Sequence, residues 1–174
     1  MSEDAARILR AHLYGTLVIG IFVVIPVLYL RRLDPWLPFG LPDVLRYPGF
    51  ALLLAGAALS YASFFFFLSD GKGTAFPTDP PKTLVIRGPY VHVRNPMYTG
   101  NLAIIFGAAF WFASPADLLY AVVMCFVTHV YITTSEEPIL VRRYQELYLN
   151  YVRTTPRWLP GLGRGVSPLG RNRR

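Results

Sequence analysis

The chain has 174 residues, of which 53% are hydrophobic and 15% aromatic, and its formal net charge at pH 7 is +7. This length is enough for one domain, and the apolar content is higher than most soluble domains carry, so a soluble fold is disfavoured. The single cysteine, Cys125, excludes a disulfide within the chain.

Four long runs contain no lysine, arginine, aspartate or glutamate: 12–30, 48–68, 98–113 and 118–134. A helix needs roughly 20 residues, and at least about 17, to cross the hydrocarbon core of a bilayer. We therefore predict an all-α membrane protein, a bundle of four transmembrane helices with a cytoplasmic loop and a C-terminal amphipathic helix. The predicted spans are about 12–30, 48–68, 96–113 and 116–134.

The first run is expected to remain as a helix, because Arg31 and Arg32 follow it instead of a signal-peptide cleavage pattern. Pro26 lies inside this helix, and a neighbouring helix is expected to satisfy the carbonyl that the proline leaves without a donor. The predicted domain organisation is one integral membrane domain over 1–160, followed by a basic tail over 161–174.

The basic residues are distributed unevenly between the two predicted sides of the membrane. With four crossings the termini and the middle loop share one side and hold most of the arginines and lysines, whereas the other side holds only Arg31, Arg32 and Arg46. The positive-inside rule then places both termini in the cytoplasm. The arginines of the tail are expected to lie near anionic lipid headgroups rather than to bind nucleic acid.

The segment 87–100 is polar and basic and lies between apolar runs, so it is predicted to be a loop that enters the third helix. Asn95 suits the N-cap of that helix and Pro96 its first position. The partial positive charge of the helix start and the full charge of Arg94 suit a carboxylate or phosphate. Gly100 would allow a close approach to the backbone. The alternative is an ordinary capped membrane helix with interfacial anchors.

Two polar residues, Asn101 and His129, lie within the third and fourth predicted helices. Polar residues in membrane helices commonly face the bundle interior and mark a site, so both are candidate substrate-binding residues. The alternative for each is a structural hydrogen bond between helices. Ser114 and Pro115 are predicted to join the two helices as an antiparallel hairpin. No metal site is predicted, because His92 in the loop has no second ligand at metal spacing.

Glu136 and Glu137 follow the fourth helix and could balance the charge of a bound cation. A cytoplasmic amphipathic helix is predicted over about 136–151. One stripe of that helix would hold Glu137, Val141, Tyr144, Tyr148 and Tyr151. The alternative is an interfacial helix whose tyrosines lie at headgroup level. The segment 156–160 is predicted to end this helix and fold back.

Several motifs together resemble the isoprenylcysteine carboxyl methyltransferase family, which looks related to the phospholipid N-methyltransferases. They are Gly-Pro-Tyr-x-x-x-Arg-Asn-Pro-Met-Tyr-x-Gly at 88–100, Glu-Glu at 136–137, Tyr-x-x-Tyr at 148–151 and Pro-Arg-Trp-Leu-Pro at 156–160. The resemblance extends over about 70–160, and the preceding Gly-x-Gly-Thr and Pro-Pro-x-x-Leu-Val at 71–85 also look like bacterial members. It implies an S-adenosylmethionine-dependent methyltransferase, here in a bacterial inner membrane, with the cofactor at the cytoplasmic ends of the last helices.

The resemblance also assigns residues to the cofactor site. One wall would consist of Tyr90, Arg94, Asn95, Pro96, Tyr98 and Gly100. The other wall would consist of Glu136, Glu137, Tyr148 and Tyr151. Arg94, Glu136 and Glu137 are the candidate catalytic residues, and each half of the site is expected to hold one charge of a zwitterion. The chain departs from the family twice, with Asn95 in place of the usual histidine and Tyr144-Gln145 in place of the usual Phe-Gly.

Methyl transfer mainly requires that the acceptor and the methyl group are held close and in line, so it needs no metal. A carboxylate acceptor needs no base, whereas an amine must lose a proton, for which Glu136, Glu137 and His129 are the candidates. We therefore predict methyl transfer to a lipidic or hydrophobic acceptor, with a carboxyl or other oxygen or sulfur acceptor preferred. The alternatives are N-methylation of a phospholipid headgroup, a noncatalytic membrane interaction protein, and a membrane reductase, because some sterol reductases have a similar Arg-His-Pro-x-Tyr segment.

Overall fold

The computed structural model describes residues 3–71 and 83–161. The described chain is built from the α-helices α1 (Glu3–Ile19), α2 (Ile25–Leu30), α3 (Arg46–Gly71), α4 (Pro96–Trp111), α5 (Pro115–Tyr131) and α6 (Glu137–Thr154). No strand occurs among the residues it describes, which confirms the all-α prediction for that part of the chain. All but the first residue of the predicted tail, 161–174, lies outside the described residues.

The first helical run continues from α1 through a π-helical turn, Gly20–Val24, into α2. Pro26 has no N–H, so the carbonyl of Phe22, four residues earlier, loses its helical donor. The hydroxyl of Tyr120 in α5 donates to that carbonyl at 2.7 Å. The prediction that a neighbouring helix satisfies this carbonyl is therefore confirmed.

Three helical segments of the described chain are long and apolar enough to cross a membrane: Ile8–Trp36, Asp43–Gly71 and Pro115–Thr154. The predicted third helix, 96–113, ends earlier, since α4 has only 16 residues. At about 1.5 Å per residue it falls short of the roughly 17 residues that a span requires. The predicted count of four transmembrane helices is thus not confirmed, and three spans is the number that the helix lengths support.

The closest helix contact is between α3 and α4, which run antiparallel. A Cβ atom added to Gly56 would lie 2.7 Å from the carbonyl oxygen of Gly100, and one added to Gly100 would lie 2.6 Å from the backbone nitrogen of Ser60. These small residues let the two backbones touch, as the sequence of α3 suggests. Ser60 Oγ also donates to Asn101 Oδ1 at 2.7 Å across this interface.

The hairpin between α4 and α5 turns at Ser114, as predicted. Ser114 caps α5 by accepting from the backbone N–H of Asp117, and it donates to Asp34 Oδ1 at 2.9 Å. Asp34 belongs to the short helix Arg31–Trp36 that follows α2. The far end of α4 therefore reaches the connection between α2 and α3.

The chain does not break between the fourth predicted helix and the amphipathic helix. A π-helical turn, Ile132–Glu136, joins α5 to α6 in one helical run, so the predicted boundary at 134–136 is wrong. A kink occurs instead at Gln145, which has φ 47° and ψ −125°. This kink interrupts the predicted stripe, because the stripe assumes a regular helix from Glu137 to Tyr151.

Candidate functional site

The loop before α4 is held in place by two buried tyrosines of α6. A short helix, Gly88–Val91, forms the start of this loop, and Tyr90 within it is buried. The hydroxyl of Tyr151 donates to the carbonyl oxygen of Tyr90 at 2.5 Å, and Tyr148 packs edge-on to Tyr151. Burial of Tyr90 raises the pKa of its own hydroxyl, so this group stays neutral at physiological pH. The helix α6 thus fixes the loop that carries Arg94.

The segment after α6 folds back onto the same loop, as predicted. The backbone N–H of Arg94 donates to the carbonyl oxygen of Pro156 at 2.9 Å. The side-chain amide of Asn95 donates to the carbonyl oxygen of Arg157 at 3.5 Å. Asn95 occupies the N-cap position of α4 but makes no side-chain capping bond, so the expected capping role is wrong for its side chain. Its amide links the loop to the C-terminal segment instead.

The centre of the site is a cluster of three charged side chains that we call the ion cluster: Arg94, Glu137 and Arg157. Arg94 Nη1 lies 2.7 Å from Glu137 Oε1. Arg157 binds the same carboxylate in bidentate fashion, Nε to Oε1 at 2.9 Å and Nη2 to Oε2 at 2.8 Å. The side chains of Arg94 and Glu137 are only 8% and 17% exposed. Short, sheltered, charge-assisted bonds of this kind are among the stronger contacts in proteins.

The ion cluster carries more positive than negative charge. Two guanidinium groups share the single carboxylate of Glu137, and this contact raises the pKa of Arg157. Arg94 Nε is buried and has no hydrogen-bond partner among the described residues. A buried donor without a partner is costly, so the cluster is suited to a further anionic oxygen. This donor set therefore fits the carboxylate of S-adenosylmethionine.

A second acid lies beside the ion cluster on the π-helical turn. Glu136 Oε2 accepts a hydrogen bond from the hydroxyl of Tyr98 at 2.8 Å. Among the described residues Glu136 forms no ion pair with an arginine or lysine. Its charge is therefore the one most open to a ligand cation, whereas that of Glu137 is already balanced by two arginines.

An apolar groove of about 640 Å³ lies between α4 and α5 next to these residues. Thr99 and His129 line it, as do Trp158 and Leu159 of the C-terminal segment. Apolar side chains form most of its described wall, namely Leu52, Leu102, Ala103, Phe106, Phe110 and Phe126. His129 Nδ1 accepts a hydrogen bond from the indole Nε1–H of Trp158 at 3.3 Å. The groove suits an alkyl or acyl chain.

The structure brings most of the predicted site residues to one end of the bundle. The sequence analysis expects each half of the site to hold one charge of a zwitterionic ligand. In the structure Arg94 and Glu137 instead bind each other in an ion pair. Pro96 is fully buried at the start of α4. The close approach expected at Gly100 is made by α3, and Asn101 bonds to Ser60 rather than lining the groove. The packing of α4 against α3 therefore accounts for both Gly100 and Asn101.

Sequence reasoning missed Arg157 and Trp158 as site residues. Both belong to the motif Pro-Arg-Trp-Leu-Pro, which the sequence predicts to end the helix and fold back and which also carries part of the family resemblance, but neither residue was assigned to the site. An arginine in a segment that folds back beside two glutamates is a signal for an ion pair. The contact itself depends on the path of the chain after α6, which residue spacing does not define.

A family model described as phospholipid methyltransferase matches residues 45–147, which is more than half of the chain. The matched region includes Arg94, Glu136 and Glu137 but ends before Arg157. No curated protein matches the chain.

Proposed function

The chain belongs to the phospholipid methyltransferase family, and from this premise we propose that it transfers a methyl group from S-adenosylmethionine to a lipidic or hydrophobic acceptor at the cytoplasmic face of the membrane. The observation that carries the proposal is the ion cluster, with its excess positive charge and the buried, unpartnered Nε of Arg94. The family makes a methyltransferase the expected activity rather than a reductase or a noncatalytic protein.

S-adenosylmethionine supplies a methyl group activated by a sulfonium, and its amino-acid end carries a carboxylate and an ammonium. Arg94 and Arg157 would hold the carboxylate, since guanidinium groups bind carboxylates in bidentate geometry. Glu136 would hold the ammonium. Tyr90 and Tyr98 offer aromatic faces, which attract cations when they are desolvated. Tyr148 and Tyr151 position the loop rather than contact the ligand.

A carboxylate or another oxygen or sulfur acceptor is the preferred substrate, because Glu136 would be engaged by the ammonium of the cofactor, and no other described site residue is an evident general base. Glu137 is bound by two guanidinium groups that stabilise its ionised form, so it is a poor proton acceptor. A carboxylate acceptor is already ionised, so one of its oxygens could form the ester bond to the methyl carbon as the methyl–sulfur bond breaks and S-adenosylhomocysteine leaves, without proton transfer. The chain's task is then to align and desolvate the two reactants.

The second candidate is N-methylation of a phospholipid headgroup amine. Two observations favour it: the description of the matching family, and the position of Glu136, which carries no arginine partner among the described residues. Glu136 would take the proton that the amine must lose, with Tyr98 holding the carboxylate in place.

The membrane topology is part of the same proposal. Residues 1–160 form one domain in the bacterial inner membrane, with both termini and the ion cluster on the cytoplasmic side. Although α4 is short, it also crosses the membrane in this proposal, because Ser114 at its end contacts Asp34 in the connection between α2 and α3. The groove between α4 and α5 then opens to the bilayer, from which a lipid acceptor enters.

A methyl-transfer assay tests the proposal. The full chain in lipid nanodiscs is given isotopically methyl-labelled S-adenosylmethionine with either oleate or phosphatidylethanolamine, and the products are analysed by mass spectrometry. We expect labelled methyl oleate. Labelled N-methylated phosphatidylethanolamine without ester would favour the second candidate. The absence of labelled product from both lipids, together with the absence of cofactor binding, would contradict methyl transfer as the function.

A further inference from the structure

The imidazole of His129 is held in one protonation form by its contact with Trp158. An indole N–H can only donate, so the nitrogen that receives it, His129 Nδ1, carries no proton. The proton of the neutral ring is then on Nε2. The two rings are also close, with centroids 6.2 Å apart and an angle of 34° between their planes. The contact therefore selects the Nε2–H tautomer of His129.

This N–H is the uncommitted donor of the groove wall. The hydroxyl of Thr99 donates to the carbonyl oxygen of Asn95 at 3.0 Å, and the indole N–H of Trp158 is used by His129. The thiol of Cys125 is a weak donor. Among the described groove residues, only His129 retains a strong side-chain donor, Nε2–H, without a protein partner. An oxygen of a bound molecule can receive it, whereas an ammonium group cannot.

The residue next to Trp158, Arg157, binds Glu137 of the ion cluster. One short segment therefore sets both the ion cluster and the donor in the groove, and it places them next to each other.

We propose that His129 is a specificity-determining residue that donates its Nε2–H to an oxygen of the lipidic acceptor, and that Trp158 is the positioning residue that holds it in this tautomer. The inference rests on the proposed function for the identity of the bound molecule. The tautomer itself does not depend on that function. A site built around a donor discriminates strongly against a head group that cannot accept, because the donor would be left unpaired.

Nitrogen-15 NMR of the histidine-labelled full chain in nanodiscs tests the tautomer directly. The His129 signals are assigned by comparison with His129→Gln. We expect a protonated Nε2 and an unprotonated Nδ1 in the wild type, and a mixture of tautomers in Trp158→Phe, which keeps the aromatic ring but removes the donor. An Nδ1–H tautomer or an imidazolium in the wild type at neutral pH would overturn the proposal. An unchanged tautomer in Trp158→Phe would overturn the role of Trp158.

A coupling across the hydrogen bond gives a second measurement if Trp158→Phe does not fold. The wild type labelled at tryptophan and histidine should show a through-bond correlation between the indole Nε1 and His129 Nδ1. A correlation to Nε2 instead would overturn the assignment. These measurements need no turnover, so their outcome is separate from the outcome of the methyl-transfer assay.

Binding of simple amphiphiles tests the preference for an oxygen. Oleate should shift the His129 Nε2–H resonance on saturation, and oleylamine, with an ammonium head on the same chain, should not. In the assay with oleate, His129→Leu should raise KM about tenfold with little change in kcat, as expected for one lost hydrogen bond to a charged group. His129→Gln retains a donor and should restore most of the loss. A collapse of kcat in His129→Gln would show instead that the residue acts as a base.

Discussion

The residue that most extends the site is Arg157, which no spacing pattern in the sequence identifies. Its guanidinium binds both oxygens of Glu137, while Arg94 shares one of them. The carboxylate thus binds two cations, one from the loop before α4 and one from the segment after α6. Glu137 is therefore the ionic partner of both arginines and holds their side chains together. Its own charge is balanced by them.

Replacement of Arg157 should therefore destabilise the folded protein. Arg157→Ala removes a bidentate, partly sheltered ion pair and should lower the free energy of unfolding by about 1–3 kcal/mol, below the range for a fully buried pair because Arg157 is 28% exposed. Thermal denaturation in a mild detergent measures the change. Arg153→Ala is the matched control, since Arg153 is exposed and bonds only to Asn150 among the described residues. Equal effects of the two changes would contradict the role of Arg157.

Gln145 carries a backbone conformation that favours glycine. Its φ of 47° and ψ of −125° are accessible to glycine without strain but not to a residue with a Cβ atom. The related methyltransferases that the sequence resembles usually have glycine here, so the departure noted in the sequence has a physical consequence in this chain.

Gln145→Gly should stabilise the protein, because it relieves strain of about 1–3 kcal/mol. Gln145→Ala is the control, since alanine keeps the Cβ atom and should bring no comparable gain. The melting temperatures of the two variants in detergent give the comparison. A lower melting temperature for Gln145→Gly than for the wild type would show that the kink is not strained.

At the scale of single elements, the apolar runs predict the helices well, whereas the ends of the helices are predicted poorly. Long apolar runs are local properties of the sequence. The end of α4 at Trp111 is followed by a tertiary contact, that of Ser114 with Asp34, which residue spacing does not define. The π-helical turn at Ile132–Glu136 follows no residue pattern that distinguishes it from a regular helix.

The hydroxyl of Tyr120 should contribute to stability only while Pro26 is present. Tyr120→Phe leaves the Phe22 carbonyl without a donor and should cost about 1 kcal/mol. In a Pro26→Ala background the alanine N–H can bond to that carbonyl, so the same change should cost much less. Unfolding free energies of the four proteins in this double-mutant cycle measure the coupling. Additive effects of Tyr120→Phe and Pro26→Ala on the unfolding free energy would contradict the inference that the Tyr120 hydroxyl replaces the donor that Pro26 lacks.

For the whole molecule, the sequence predicts the family, the helical fold and most of the side chains that the structure groups at the candidate site, but it does not predict the contacts of the C-terminal segment. Arg94, Tyr98, Glu136 and Glu137 are grouped as expected because they lie at the same ends of adjacent helices. The C-terminal segment adds Arg157 and Trp158 through a reversal of the chain after Thr154. The same reversal brings the ion cluster and the groove together.

The proposed topology, with α4 as an additional crossing, can be tested by cysteine labelling in spheroplasts. In a Cys125→Ser background, cysteines at Val44 and Phe112 should react with a membrane-impermeant maleimide from outside. A cysteine at Arg153 should react only after the membrane is opened. Labelling of Phe112→Cys only after the membrane is opened would contradict a crossing by α4.

Calorimetric titration of S-adenosylmethionine into the detergent-solubilised protein tests the central claim, that the ion cluster is the cofactor site of a membrane methyltransferase. We expect saturable heat for the wild type and for Arg153→Ala. Arg94→Ala and Glu137→Gln should each bind at least about tenfold more weakly, since each loses a charge-assisted contact worth about 1.5–3 kcal/mol. Saturable binding that is unchanged in both variants, or no saturable heat in the wild type, would contradict the account.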